Sequence, residues 1–170
     1  MRQLIVDCEA SGLHPESYPI QVAWIDVNTK ETDTFYIKPH DTWLHWDYNA
    51  EDIHNIPREL LTDIGLPVSE AAQRFLDATN DKDCIVYSDA PNFESFWLGR
   101  LLHTANALFE TGAIQVTYVL ELLETRQQKR EMSRIMGSQD RPHDALDDCR
   151  MILAAYEQAR DTDYAPDVED

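Results

Sequence analysis

The chain has few cysteines, few basic residues and no long apolar run, and each scarcity argues against a class of function. Its three cysteines, Cys8, Cys84 and Cys149, are far apart and form no C-x-x-C pair. That argues against a disulfide framework and a thiolate zinc site, and a reducing cytoplasmic location is expected. No segment approaches the roughly 20 apolar residues that span a bilayer, and no basic stretch followed by an apolar run opens the chain. No membrane partner is therefore expected. Lys and Arg number 14 against 32 Asp and Glu, a net charge of -18. Residues 161–170 hold five of the acids and no base, and the remainder still carries -13. So negative a surface repels phosphate backbones at long range and argues against broad, nonspecific duplex binding. It leaves room for a short nucleic-acid end held at one metal-bearing pocket.

What is present is an ordinary globular composition, 43% hydrophobic and 27% charged over 170 residues. That is enough for one domain with a sizeable core, read here as residues 1–160 with 161–170 as a disordered acidic tail. No internal repeat is visible. Leu4-Ile5-Val6 opens a buried strand, and Ile20–Val27 and Thr34–Lys38 read as two more, joined by the polar turn Asn28–Thr32. Three strands with short links predict an antiparallel meander. An irregular segment carrying Trp43, Trp46 and Tyr48 follows, then a helix over Val68–Thr79. Cys84–Ser88 reads as a strand, Pro91 to about Ala107 as a helix and Ala113–Tyr118 as a fifth strand. A helix from about Leu120 is broken at Gly137–Asp140, and a last one runs from about Asp144 to Arg160. Strands first, then alternating helices and strands, predict a mixed α/β sheet with helices packed on it.

Asp7 and Glu9 sit at the end of the first strand, where alternation points both to one side and Cys8 to the other. Two converging carboxylates repel unless a cation lies between them or one holds a proton; the bland alternative is a pair of solvated acids at a loop entrance. Ser88-Asp89-Ala90-Pro91-Asn92-Phe93-Glu94 supplies two more candidates. Asp89 fits an exposed turn at a strand end. Glu94 falls at about 100° on a helical wheel whose apolar stripe spans about 0–140°, formed by Phe93, Trp97, Leu98, Leu101, Ala105 and Leu108. A carboxylate inside an apolar stripe needs a positive partner or a metal, which favours Glu94, with Asp89 as its substitute. In the last helix, Asp147 points away from the core while Asp148 lies on the margin of the packed face. His143 can share a site with Asp148 only if it belongs to the loop before the helix, as Pro142 suggests. A loop histidine near carboxylates is suited to act as general base.

With these residues in view, the sequence resembles the DEDDh group of 3′–5′ exonucleases in the ribonuclease-H-like fold, which includes ribonuclease T, oligoribonuclease and polymerase proofreading subunits. Asp7-Cys8-Glu9-Ala10-Ser11-Gly12-Leu13 is similar to the first motif, D-x-E-[TA]-[ST]-G-L. His143-Asp144-Ala145-Leu146-Asp147-Asp148 is similar to the third, H-x-A-x-x-D. The middle motif departs, with glutamate at 94 where aspartate is usual, and its Ser-Asp-Ala-Pro lead-in most resembles a small bacterial or phage branch of exoribonucleases.

The resemblance implies a ribonuclease-H-like five-stranded mixed sheet with helices on both faces. It implies two ions, Mg²⁺ or Mn²⁺, held by Asp7, Glu9, Glu94 and Asp148, with His143 taking the proton from the attacking water. The substrate would be a single-stranded RNA or DNA 3′ end, with RNA favoured, and the product a 5′-mononucleotide. Ser11, Gly12, Leu13 and His14 fall where relatives hold the terminal nucleotide, and a homodimer is one assembly that relatives adopt. Trp43, Trp46 and Tyr48 are candidates for base stacking or for plain core packing. The base-rich segment Arg126, Lys129, Arg130, Arg134 and Arg141 could steer the strand, with Arg130 and Arg134 foremost, or be a solvated helix face. A contrasting reading is a catalytically degenerate acidic interaction module of the same fold.

Overall fold

The structure, a computed structural model, describes residues 1–80, 83–106 and 114–162. Leu4 to Cys8 are all buried, so the first strand needs a neighbour on each side and a layer on each face. β1 (Gln3–Ala10), β2 (Pro19–Asp26) and β3 (Thr32–Tyr36) form the expected antiparallel meander. β4 (Ile85–Ser88) then pairs parallel with β1 on its other side, and β5 (Val116–Tyr118) parallel with β4. The order is β3-β2-β1-β4-β5. The expected fifth strand is thus shorter than the sequence pattern, and its first residue, Ala113, lies outside the described residues.

Alternation along β1 sorts the core into two layers. Val6 and Cys8 pack with Phe75 of α3 (Val68–Thr79) and with Leu98 and Leu101 of α4 (Pro91–Thr104). Ile5 packs on the opposite face with Met132 of α5 (Arg126–Gly137) and with Cys149 and Ile152 of α6 (Ala145–Arg160). Helices therefore cover both faces, as the resemblance implied. Burying one such apolar side chain contributes about 1.5–3 kcal/mol.

Three expectations need correction. The segment after β3 holds two short helices, α1 (Tyr48–His54) and α2 (Arg58–Ile64), rather than irregular chain. Each buries a single residue, His54 or Leu61, so neither shows an apolar stripe in sequence. The helix expected from Leu120 is a 3₁₀ turn over Val119–Leu122; α5 starts later, where the Thr125 hydroxyl and the Gln128 side chain form a capping box. In α4, Phe93 is exposed and Leu102 is buried, while Glu94 stays on the buried face. Residues 107–110, including Leu108 of the expected stripe, and the tail from 163 lie outside the described residues.

Because β1 and β4 run parallel, their carboxyl ends reach the same edge of the sheet, the usual place for a ligand site in a parallel sheet. A bulge between Glu9 and Ala10 turns β1 at that edge. The loop beyond is closed by Ser11, whose amide donates to Tyr18 O and whose Oγ accepts the Tyr18 amide.

Candidate active site

Four carboxylates from three elements meet at this edge. Asp7 and Glu9 come from β1, Glu94 from the first turn of α4 and Asp148 from the first turn of α6. Asp7 is 6% exposed and Glu94 and Asp148 are each 2% exposed, while Glu9 is half-buried. Burial pushes the Asp7 carboxyl well above its usual range, and the charges of Glu94, Glu9 and Asp148 push it further. Glu9 is raised to about 7 by burial and then by Asp148. Glu94 also reaches about 7, again chiefly through burial, although the Ser88 hydroxyl and its own backbone amide favour its charged form. Asp148 is raised by burial against the opposing charges of Arg141 and His143. Ligand atoms of Glu9, His143 and Asp148 lie within 4.8 Å of one another. Glu94 Oε2 and Asp148 Oδ1 are buried without a hydrogen-bond partner. Buried, mutually repelling oxygen donors with unused lone pairs fit a hard divalent cation.

Each acid is held by something local. Ser88, fully buried at the end of β4, accepts the Ala90 amide at 2.9 Å and bonds Glu94. His143 lies outside α6 in the left-handed region at φ 55°, and its backbone amide donates to Asp148. The Asp144 carboxylate caps α6 through the amides of Leu146 and Asp147, both at 3.1 Å. Gln21, 1% exposed and paired across from Glu9, donates to Asp144 Oδ2 at 3.0 Å and accepts the Ala145 amide at 3.3 Å. It fastens the start of α6 to β2 and so fixes where His143 and Asp148 stand. Asp89 ion-pairs with Arg141, whose charge also offsets the repulsion at Asp7, Glu9 and Asp148.

The family described as Exonuclease, of RNase T type, matches residues 4–156. The chain belongs to the RNase T exonuclease family. A search of curated proteins by sequence gives no match. Among solved structures, Exonuclease I of E. coli with a dT13 oligonucleotide is 16% identical with a TM-score of 0.72. That match covers 94% of this chain and 41% of the other. A moderately thermophilic Exonuclease I from Methylocaldum szegediense is 19% identical with a TM-score of 0.73, at the same two coverages. A zinc-bound E. coli ExoI–ssDNA complex is 18% identical with a TM-score of 0.70, covering 94% of this chain and 39% of that one. At such identities the likeness is one of fold, and the chain spans about two fifths of those relatives' length.

Around the four carboxylates, the residues expected to touch substrate differ in what they can offer. Leu13 is 73% exposed and, with Glu9, Ala50, Ile53, His54 and Trp97, lines a cavity of about 160 Å³. His14 stacks on His45 with ring centroids 5.0 Å apart. Ser11 is fully buried, its hydroxyl shared between the Tyr18 amide and His45 Nδ1. Gly12 has φ 138°, and a Cβ there would come within 2.8 Å of His45 and 2.9 Å of Asp47, so the turn requires glycine. Trp43 is buried against Tyr18 and Trp46 half-buried edge-on to His54, leaving Tyr48 as the exposed aromatic of that set. Arg130 and Arg134 lie on the exposed face of α5, with Arg134 bonded to Glu131.

His54, Gln21 and Ser88 were not singled out from sequence. Gln21 and Ser88 carried a readable signal, each being a polar residue inside an apolar strand run. His54 carried none, because its helix shows no apolar period.

Proposed function

We propose that the chain is a divalent-metal-dependent 3′–5′ exonuclease that releases 5′-mononucleotides from short single-stranded ends, with RNA as the preferred strand. The observation that carries this reading is the convergence of Asp7, Glu94 and Asp148, all buried, and half-buried Glu9, all four raised in pKa, beside His143. Asp7, Glu9, Glu94 and Asp148 would hold two ions, Mg²⁺ or Mn²⁺, which suit an all-oxygen donor set. When bound, the ions supply Lewis-acid stabilisation of phosphate oxygens and a more acidic water.

The chain's own residues do the rest. His143, within 4.8 Å of Glu9 and Asp148, accepts the proton of the attacking water, and its backbone bond to Asp148 fixes its approach. Glu94 serves as third carboxylate rather than Asp89, whose charge Arg141 already takes up. The cavity under Leu13 receives the terminal nucleotide. The acidic remainder of the surface repels duplex, so that a free single-stranded end is the form admitted. RNA is favoured because the Ser88–Glu94 segment resembles that of small exoribonucleases.

The test is product release from 5′-labelled oligoribonucleotides and oligodeoxyribonucleotides side by side in Mn²⁺. The expected result is stepwise shortening from the 3′ end, faster on RNA, abolished by EDTA and lost in Asp148→Asn. Cleavage surviving Asp148→Asn would sink the assignment. Binding without any shortening would favour the non-catalytic acidic module.

A further inference from the structure

The 160 Å³ cavity beside Glu9 does not end at Leu13. The same leucine borders a second hollow of about 290 Å³ that runs past His14 and Phe93 to Phe96. Phe96 in turn borders a third, of about 650 Å³, between the last turns of α4 and the segment 42–45. With Leu13 and Phe96 as their shared borders, the three hollows follow one another along the surface from Glu9 to the far end of α4. We propose that the far part of this groove, beyond Phe96, is a binding site for the nucleotides that precede the 3′ end, each base stacking on exposed rings and each phosphate meeting a cationic or N–H donor edge. The inference rests on the exonuclease reading for the position of the 3′ end.

Charge supports this occupant over an apolar one. In a chain with more than twice as many acids as bases, the far hollow balances Arg100 against the single acid Glu16 and adds the ring nitrogens of His45 and His103 as polar partners. The Arg100 guanidinium lies 5.5 Å from the centre of the Phe96 ring, a stacked pair that extends a flat surface for a base. Only one of its N–H groups is used within the chain, by the Ser17 carbonyl at 2.7 Å, among the described contacts. At the near end, His14 Nδ1 accepts the Glu16 amide, so a neutral ring there carries its proton on Nε2 and donates outward. Phe93, stacked on Trp97, and Phe96, under Arg100, remain 43% and 39% exposed along the path.

Length agrees as well. Arg100 and His103 stand six and nine residues beyond Glu94, about 9 and 14 Å along the helix at 1.5 Å per residue. That is about three or four nucleotides at the ~3.4 Å spacing of a stacked strand. The groove also contains a glycine with no packing reason to be one. Gly99 sits inside α4, where glycine is unfavourable, and a Cβ built there meets nothing within 4 Å. Because Gly99 lines the hollow, a side chain added at this position starts from open space on that wall.

That glycine gives the test. Affinities for 5′-fluorescein oligoriboadenylates of two and six nucleotides are measured by anisotropy in Mn²⁺, in an Asp148→Asn background that stops turnover. The parent is expected to bind the hexamer at least tenfold more tightly than the dimer. Gly99→Glu should remove that advantage and leave the dimer within twofold, with a melting temperature no lower than the parent's, while Gly99→Ala leaves both affinities alone. His103→Ala should cost the hexamer about threefold. Equal hexamer affinity in parent and Gly99→Glu would overturn the groove, as would a parent that does not distinguish the two lengths. If the hexamer advantage is lost in Gly99→Glu while the Asp148 chain cleaves neither oligomer, the groove stands and the exonuclease reading falls.

Discussion

Asp89 and Glu94 stand five residues apart across the β4–α4 junction, and Arg141 separates their roles. Asp89 gains a cation and keeps one oxygen unpartnered; Glu94 gains a hydroxyl and its own backbone amide but no cation, and faces repulsion from Glu9 and Asp7. Glu94→Gln is therefore expected to lower the rate at least 100-fold while raising the melting temperature of the metal-free protein at pH 8, because a buried like charge is removed. Asp89→Asn should cost less than tenfold in rate and lower the melting temperature instead, since it breaks an ion pair. Rates and melting curves of the two variants side by side check this, and a reversal of the pattern would exchange their roles. Gln21 is a positioning residue on the same logic. Gln21→Leu takes the partner from the buried Ala145 amide and from Asp144 Oδ2, and an unsatisfied buried amide costs about 1–3 kcal/mol. The expected result is a fall in kcat with KM changed less than twofold, as His143 and Asp148 lose their fixed place. A change confined to KM would assign Gln21 to substrate binding instead.

At the scale of elements, what could be read from sequence was what local geometry controls. Strand alternation placed Asp7 and Glu9 on one face, and helical periodicity put Glu94 on a buried one; both hold in the structure. The lead-in to α6 was legible because Pro142 forces a break, and His143 does lie outside the helix. Asp148 proved more deeply buried than a margin position, since the sheet edge covers it. The α1–α2 segment was illegible for a physical reason: two seven-residue helices that bury one side chain each leave no periodic trace. The Thr125–Gln128 capping box was legible and would have moved the start of α5 from Leu120 to Arg126. The Asp89–Arg141 pair was not, because 52 residues separate partners that only the parallel β1–β4 arrangement and the α6 lead-in bring together. Ser11 shows the same limit: a motif position is visible in sequence, but whether its hydroxyl faces substrate or Tyr18 is decided by the closure of the loop.

For the whole molecule, the acidic cluster makes stability depend on pH and metal together. Glu9 and Glu94 each ionise near 4.5 when free and near 7 when folded. A carboxyl with a raised folded pKa takes up protons on folding, so its contribution is favourable below about 4.5 and is lost as pH climbs through about 7. Bound cations reverse the loss, because they bind the folded cluster and not the dispersed unfolded acids. The same balance explains how a chain of net charge -18 can hold three buried acids and a half-buried one at one edge of its sheet: the repulsion is tolerable where a cation or a proton answers it. The most direct test of that central claim is the melting temperature in EDTA and in Mg²⁺ or Mn²⁺ at pH 5.5 and pH 8. The metal-free protein should melt several degrees lower at pH 8 than at pH 5.5, and metal should raise the pH 8 value by more than the pH 5.5 value. A melting temperature that metal leaves unchanged at pH 8 would contradict the assignment of Asp7, Glu9, Glu94 and Asp148 as a cation site.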